Sequence, residues 1–426
     1  MILALILLVT ILVLLSGLPV FAGLGLIAGG LMILQNGSLT GLGDVIFGEV
    51  NSYLLVAIPL FTLMAHIMIR AKLVDDLYGA AHTLVRHLPG GLGIATVGAC
   101  TVFAAISGSS VATALTIGSV AIPQMIRYGY SPRAAYGVVG GGGTLGILIP
   151  PSGPMILYGV ISDSSIGGLF IAGVVPGLMV AAFFALYCLI SQTARQPIPR
   201  EPRAGFIESL QALCRSFWAL NLPAFVLGGM YAGIFTATEA SAAGALAALL
   251  VASLIYRTFG LKDLWQAAID SARTSAMLFL ILAAAGVFGH VLTTMRIPQE
   301  IAAWVGQQGI GPYGFLIGMM LLLFVLGMFL DTIAIILITT PVVLPVLHQL
   351  SIDPIWYGIL LVINLELALL TPPVGMNLFT IKAITKAPLS EIILGTVPYV
   401  LMLILAMALV MAFPDIALWL PRTMAS

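Results

Sequence analysis

The sequence has 426 residues, of which 61% are hydrophobic and 8% are charged, and its formal net charge is zero. Soluble domains carry about 25% charged residues, so this composition excludes a soluble protein. It also lacks the basic stripe of a nucleic-acid-binding protein. At about 20 residues per membrane crossing, the chain is long enough for roughly a dozen passes. We therefore predict an all-α polytopic membrane protein embedded in a lipid bilayer.

The first half of the chain begins with apolar runs that predict scaffold spans over residues 1–70. The next apolar stretch, 92–127, carries Ser107-Gly108-Ser109-Ser110 at its middle. A small, polar centre is unlike a lipid-facing helix, so we interpret the stretch as a re-entrant hairpin with its tip at these residues. The alternative is an ordinary span whose small residues pack against another helix.

A broken helix is predicted over residues 133–160. Gly140 to Gly143 loosen the backbone there, and Pro150 and Pro151 each remove an N–H group. Irregular backbone at membrane depth survives only where it is buried in protein or lines a polar cavity. The break therefore predicts a binding site made from backbone groups, as in secondary transporters. A merely kinked helix is the alternative.

The second half repeats this order after a polar segment rich in arginine and proline. We predict a cytoplasmic linker over 196–216, scaffold spans over 220–292, a hairpin over 314–347 and a broken helix over 355–381. Asp331-Thr332 lies near the middle of the second hairpin, and the second break contains ELALLTPPVGMN.

The two halves, 1–195 and 217–426, match at a fixed offset. Pro150 and Pro372 differ by 222 (372 − 150), and the same difference relates Ser109 to Asp331. Arginines flank the first hairpin but are scarce after the second, and Lys and Arg concentrate in cytoplasmic loops. The hairpins would then enter from opposite faces, which predicts an inverted repeat of the elevator type. His66 and His290 occupy corresponding spans and are expected to be packed bundle residues.

A small cation inside the membrane needs oxygen ligands to replace its water. The hairpin tips offer hydroxyl and carbonyl oxygens, and the ring of Pro150 cannot donate back to the preceding turn. We therefore predict two Na⁺ sites, one in each repeat, and no organic cofactor. The predicted ligand residues are Ser107, Gly108, Ser109, Ser110, Gly146 and Pro150 in the first repeat and Gly327, Asp331, Thr332, Ala368, Thr371 and Val374 in the second.

Substrate contacts are predicted between these sites, at Thr144, Ser152 and Asn377. The N-termini of the half-helices after each Pro-Pro pair would attract a carboxylate. Asp331 has three open roles, because it could bind Na⁺, carry a proton or cap a helix. Glu366 could carry a proton or bond a polar group across the bundle. Motifs of an intramembrane enzyme, such as His-Glu-x-x-His or Gly-x-Ser-x-Gly, do not occur.

Through SGSS, GGGGTLGILIPPS, LDT and LLTPPVGMN, the chain resembles the large membrane subunit of tripartite ATP-independent periplasmic (TRAP) transporters. The likeness extends over essentially the whole chain. It implies an elevator-type member of the ion-transporter superfamily in the bacterial inner membrane, which couples Na⁺ symport to the uptake of an organic acid. It also implies a small four-helix membrane subunit and a periplasmic substrate-binding protein as partners. A stand-alone Na⁺- or H⁺-coupled carboxylate transporter or antiporter is the alternative.

Overall fold

The fold was analysed in a computed structural model, which describes residues 6, 9–10, 12–14, 16–71, 73–194, 202–257 and 259–424. These residues form α-helices and no strands. The predicted all-α membrane fold is therefore confirmed. Eight helices of the described part are long and apolar enough to cross a membrane.

The first repeat contains nine described helices. They are α1 (Val20–Asn36), α2 (Leu42–Val50), α3 (Ala57–Arg70), α4 (Leu73–Val85), α5 (Gly91–Ser107), α6 (Ser110–Arg127), α7 (Pro132–Leu148), α8 (Gly153–Ile161) and α9 (Ile166–Ala194). A short 3₁₀ turn, Tyr53–Val56, precedes α3.

The described part of the second repeat contains ten helices. They are α10 (Phe206–Tyr231), α11 (Ala237–Leu250), α12 (Leu261–Thr294), α13 (Ile297–Gln307), α14 (Pro312–Gly327), α15 (Thr332–Gln349), α16 (Pro354–Leu369), α17 (Met376–Thr385), α18 (Leu389–Ala412) and α19 (Asp415–Arg422). A π-helix, Val251–Tyr256, continues α11.

The predicted cytoplasmic linker extends too far at its C-terminal end. Helix α10 begins at Phe206, inside the segment 196–216 that was predicted to be a linker. Arginines and prolines dominate the composition up to Arg203, but Phe206, Ile207 and Leu210 then recur at helical spacing. Residues 195–201 lie outside the described part of the chain. Helices α1–α3 lie within the predicted scaffold spans over 1–70, of which residues 1–5, 7–8, 11 and 15 lie outside the described part, and α10–α12 cover those over 220–292.

Both hairpins and both broken helices are present as helix pairs. Helix α6 covers 110–127 and α15 covers 332–349, so the offset of the repeat recurs at both helix ends (332 − 110 and 349 − 127). The hairpin arms α5, α6, α14 and α15 have 16 to 18 residues, fewer than the roughly 20 that a full crossing needs. These lengths fit hairpins that enter the membrane without crossing it.

The helices form two bundles. In the core bundle, each hairpin packs against its own broken helix and against the far half of the other one: α6 contacts α7 and α17, and α15 contacts α16 and α8. Helices α9 and α18 pack on this core. In the scaffold bundle, the long helix α12 contacts α1, α2 and α3, and α11 contacts α3.

Candidate substrate and cation site

A cavity of about 310 Å³ lies between the core bundle and the scaffold bundle. Both hairpin tips and the first break reach it from the core side, and α3 and α12 line it from the scaffold side. Its polar lining consists of Thr62, His66, Ser107, Ser109, Ser110, Ser152, Thr274, Asp331 and Thr332. The inverted repeat therefore brings corresponding stretches from distant parts of the chain to one site.

The first hairpin tip is a compact set of hydroxyl and carbonyl groups. Gly108 ends α5 with φ +59°, a left-handed conformation that glycine adopts without strain. Ser109 then caps α6, because its side chain accepts from the Ala112 N–H. The hydroxyls of Ser107 and Thr113 are 2.9 Å apart, and Thr113 Oγ1 donates to the Ser109 carbonyl at 2.8 Å. The predicted ligands Ser107, Gly108, Ser109 and Ser110 all line the cavity.

The first break supports this tip closely. A methyl group on Gly146 would collide with the Ser109 carbonyl oxygen, so only glycine allows the tip to approach α7 this far. Gly146 therefore lies behind the tip, and neither Gly146 nor Pro150 lines the cavity. The Pro150–Pro151 peptide bond is cis, as is Pro372–Pro373.

Ser152 is the one predicted substrate contact that lines the cavity. Its side chain is completely buried, and its hydroxyl has no hydrogen-bond partner among the described residues. Buried polar atoms are almost always bonded, so this hydroxyl is available for a ligand. Thr144 instead donates to the Gly141 carbonyl of its own helix at 2.7 Å and lies away from the cavity.

Asn377 links the two repeats behind the cavity. It is completely buried, and its Nδ2 donates to the Ser110 hydroxyl at 2.7 Å. The structure thus places Asn377 against a cavity-lining serine, and the amide reaches the cavity only through that serine. Ser110 and Asn377 come from opposite repeats, so neither their distance along the chain nor helical spacing predicts this contact.

The second predicted cation group surrounds a smaller cavity of about 70 Å³. Gly327, Asp331, Thr332, Ala368 and Val374 line it. The Val374 N–H donates to the Met328 carbonyl at 3.2 Å and so joins the break to the tip. Thr371, the remaining member of the predicted set, donates to the Leu367 carbonyl and is absent from this lining.

Asp331 and Thr332 line both cavities. Asp331 caps α15, because its Oδ2 accepts from the Ile333 N–H at 3.2 Å. A carboxylate has about four lone-pair sites, so Asp331 keeps acceptor capacity for a cation beside its bonds to the Ile333 and Thr332 N–H groups. Glu366 is completely buried and lines neither cavity.

The donors at this site suit a hard cation. In the part of the chain that the structure describes, no three His, Cys, Asp or Glu side chains come together to hold a metal. The available donors are hydroxyl, carbonyl and single carboxylate oxygens, which favour ions such as Na⁺ over soft transition metals.

Sequence reasoning missed the scaffold side of the cavity. His66 lines it together with Thr62 from α3 and Thr274 from α12. The Thr62 and Ser271 hydroxyls are 2.8 Å apart, and Arg70 Nη2 donates to Asp270 Oδ2 at 2.7 Å. The available signal was a histidine inside an apolar span, where polar residues are costly and often functional.

We expect the Ser110–Asn377 hydrogen bond to stabilise the assembled repeats. A cycle of Ser110→Ala, Asn377→Ala and the double variant should give a coupling energy of about 1 kcal/mol. Thermal unfolding in detergent measures it. The matched control is Ser119→Ala with Asn377→Ala, because Ser119 is exposed on the same helix and its hydroxyl donates to the Thr116 carbonyl. Coupling as large in this control would contradict the assignment.

Comparisons with known proteins agree on one family. Residues 7–416 match the family model described as "Tripartite ATP-independent periplasmic transporter, DctM component". The chain is 40% identical to the C4-dicarboxylate TRAP transporter large permease protein DctM of Pseudomonas aeruginosa, over 92% of each chain. It is 39% identical to the ectoine TRAP transporter large permease protein TeaC of Halomonas elongata, over 86% of each.

More distant proteins match over similar lengths. The sialic acid TRAP transporter large permease protein SiaM of Vibrio cholerae is 31% identical, over 96% of this chain and 95% of its own. The crystal structure of the YdaH transporter of Alcanivorax borkumensis superposes with a TM-score of 0.62 at 15% identity, over 88% of this chain and 87% of that one. At this identity the superposition shows a shared fold alone.

Proposed function

Because this chain belongs to the DctM component family of tripartite ATP-independent periplasmic transporters, we propose that it takes up an organic acid by Na⁺ symport. Proteins of this family are multi-pass permeases of the bacterial inner membrane and are not enzymes. Membership of this family supports the uptake of an organic acid. We propose Na⁺ as the coupling ion and a carboxylate as the substrate.

The cavity between the two hairpin tips carries the proposal. It has room for a small organic anion at about 310 Å³, and a smaller, mostly apolar pocket of about 70 Å³, to which Asp331 and Thr332 contribute the polar side chains, adjoins it. A cation there would offset the negative charges of Asp331 and of a bound carboxylate. Burying either charge without a partner in a low-dielectric site costs free energy. Mutual neutralisation is the physical basis for coupled binding.

A carboxylate is the substrate feature that we infer. Relatives of this chain are named as transporters of C4-dicarboxylates, ectoine and sialic acid, and each of these compounds contains a carboxylate. The Ser152 hydroxyl and the hydroxyls of the first tip would donate to it. Proposed Na⁺ ligands in the first repeat are the Ser107 to Ser110 oxygens, and in the second Asp331 with nearby carbonyls.

TRAP large permeases work with a small membrane subunit and a periplasmic binding protein, and we propose both as partners of this chain. The binding protein delivers the substrate, and the small subunit packs against the scaffold bundle. The core bundle then slides along the scaffold bundle as an elevator, once the bound ions and substrate have neutralised the site.

Uptake by proteoliposomes tests the proposal. The permease and its small subunit are reconstituted and supplied with the binding protein and labelled succinate, ectoine or sialic acid. We expect uptake of one probe only when an inward Na⁺ gradient is imposed and the binding protein is present. Equal uptake without Na⁺ would overturn the ion assignment. Uptake without the binding protein would favour the stand-alone transporter.

A further inference from the structure

A second, larger cavity lies at another part of the boundary between the two bundles. It has a volume of about 670 Å³ and is bounded by α2 and α12 on the scaffold side and by α8 and α15 on the core side. On α12, Thr274, Met277 and Leu278 line the first cavity, and residues from Leu282 to Thr293 line the second. Met277 and His290 are 13 residues apart (290 − 277), which is roughly 20 Å at about 1.5 Å per residue. The charge distribution places Arg70 and its partner Asp270 at the cytoplasmic side, so the second cavity lies farther towards the opposite face.

The scaffold walls of the two cavities are the same surface in the two repeats. Helix α3 lines the first cavity with Ile58, Phe61, Thr62, Ala65, His66 and Ile69. Helix α12 lines the second with Leu282, Ala285, Gly286, Gly289, His290 and Thr293. Every member of the second set differs from its counterpart by 224, as the histidines show (290 − 66). Six matches out of six identify one helix face that the inverted repeat uses twice.

Contacts behind these walls repeat as well. Thr62 contacts Ser271 in the first wall, and Gly286 lies directly against the Glu49 side chain in the second. The repeat relates both members of these pairs, since Thr62 and Gly286 differ by 224 (286 − 62) and Glu49 and Ser271 by 222 (271 − 49). Each histidine also has a carboxylate of the other repeat nearby: Asp270 for His66 and Glu49 for His290.

The core walls differ between the cavities. The first is closed by the hairpin tips, and the second by the body of α15, with Leu337, Pro341, Leu344, Pro345 and His348. Asp331 at the tip and Pro341 in the body of α15 are 10 residues apart (341 − 331). At about 1.5 Å per residue, a shift of roughly 15 Å along the boundary would bring the tips to the second cavity.

We propose that the transported carboxylate also binds in the second cavity, where His290 has the position that His66 has in the first cavity. We call these two binding positions the first and the second seat. This inference rests on the proposed uptake function and adds the residues that meet the substrate on the other side. In the alternate arrangement, the repeat places the body of α6 against α3, with Ile126 near Ile69.

The charged groups around each histidine fit this role. Among the described residues that line the first cavity, His66 is the only basic side chain and Asp331 the only acidic one. Arg70 nearby is occupied by Asp270. In the second cavity, His290 faces Asp44 and Glu49 from α2 and His348 from α15. A histidine that carries both ring protons and donates one N–H to a protein carboxylate still has a second N–H group, which can donate to a substrate carboxylate.

Paired cysteines test the second seat. Cys214 is exposed and would be replaced by serine; Cys100 and Cys188 are buried and remain. Thr293→Cys with His348→Cys joins two residues that line the second cavity now. Ile69→Cys with Ile126→Cys is the repeat-related pair. In proteoliposomes with a short bismaleimide, we expect both pairs to cross-link and each cross-link to stop uptake. An Ile69–Ile126 pair that never cross-links, in a background that transports, would overturn the proposal.

Histidine variants test the chemistry of the two seats. In counterflow with the transported probe, His290→Gln should raise the half-saturating concentration on the periplasmic side roughly tenfold, the factor for one lost charge-assisted hydrogen bond. His66→Gln should do so on the cytoplasmic side. His348→Gln is the control, because His348 lines the same cavity from the moving bundle.

Equal effects of His290→Gln and His348→Gln, or none from His290→Gln, would contradict the role of His290. Failure of the Na⁺ proposal is recognised separately, because the background protein would then take up the probe equally well without Na⁺ while the cross-links remained interpretable.

Discussion

Asp331→Asn is expected to reduce Na⁺-driven uptake strongly while the protein stays folded. Asn caps helices as well as Asp does, so the bond from the Ile333 N–H to the side chain at position 331 is retained. The substitution removes only the negative charge between the two cavities. A lost charged ligand is worth about 3 kcal/mol, so uptake should fall roughly 100-fold. Initial uptake rates across a series of Na⁺ concentrations measure the effect.

Asp353→Asn is the matched control for this substitution. Asp353 caps α16 by accepting from the Ile355 and Trp356 N–H groups, and it lines neither cavity. Uptake by this variant should stay within about twofold of the parent, since the cap is preserved. If Asp331→Asn transports as well as its control does, Asp331 is a helix cap alone. Uptake that loses its dependence on external pH instead of Na⁺ would point to a proton carrier.

Gly146→Ala should have the second largest effect. The added methyl group would meet the Ser109 carbonyl and the Ser110 nitrogen, both of which are main-chain atoms of the first tip. Main chain cannot rotate away as a side chain can, so the tip must shift and the predicted first Na⁺ site is distorted. Overpacking of this kind costs about 1–3 kcal/mol. We expect at least a tenfold loss of uptake and a lower unfolding temperature in detergent.

Gly98→Ala provides the comparison for Gly146→Ala. Gly98 lies on α5 of the same hairpin, and a methyl group there would meet no atom within 4 Å. Alanine favours a helix over glycine by up to about 1 kcal/mol, so this variant should be as stable as the parent or more so. Similar losses in both variants would show that any added methyl group harms this hairpin, and the tip contact would lose its special role.

The positions of the helix breaks and the offset between the repeats could be predicted from the sequence, because they depend on local chemistry and spacing. Pro150, Pro151 and their counterparts remove backbone donors wherever they occur, so the position of each break could be deduced without knowing the packing. The fixed offset between the repeats likewise follows from spacing along the chain alone, and the bounds of α6 and α15 reproduce it. The all-α class followed from the apolar composition, and the first hairpin from the small polar residues at its centre.

Features that depend on packing between repeats were not predictable. The linker prediction ended too late because Arg215 and the prolines before Arg203 concealed the apolar spacing that starts at Phe206. His66 was expected to be an ordinary bundle residue, yet it lines the first cavity. Its position there depends on where α3 stands beside the hairpin tips, and no local pattern encodes that.

The crossed packing of the core bundle has a consequence for biosynthesis. Helix α6 packs against α17, and α15 packs against α8. The first hairpin is therefore synthesised and inserted into the bilayer long before α17, its contact in the second repeat, has been synthesised. Until then the Ser107 to Ser110 tip faces lipid or the insertion machinery without its complete set of protein contacts. The bond between Ser110 and Asn377 therefore forms only after residue 377 has been synthesised, and two polypeptides that carry one repeat each would have to be inserted into the same membrane to form it.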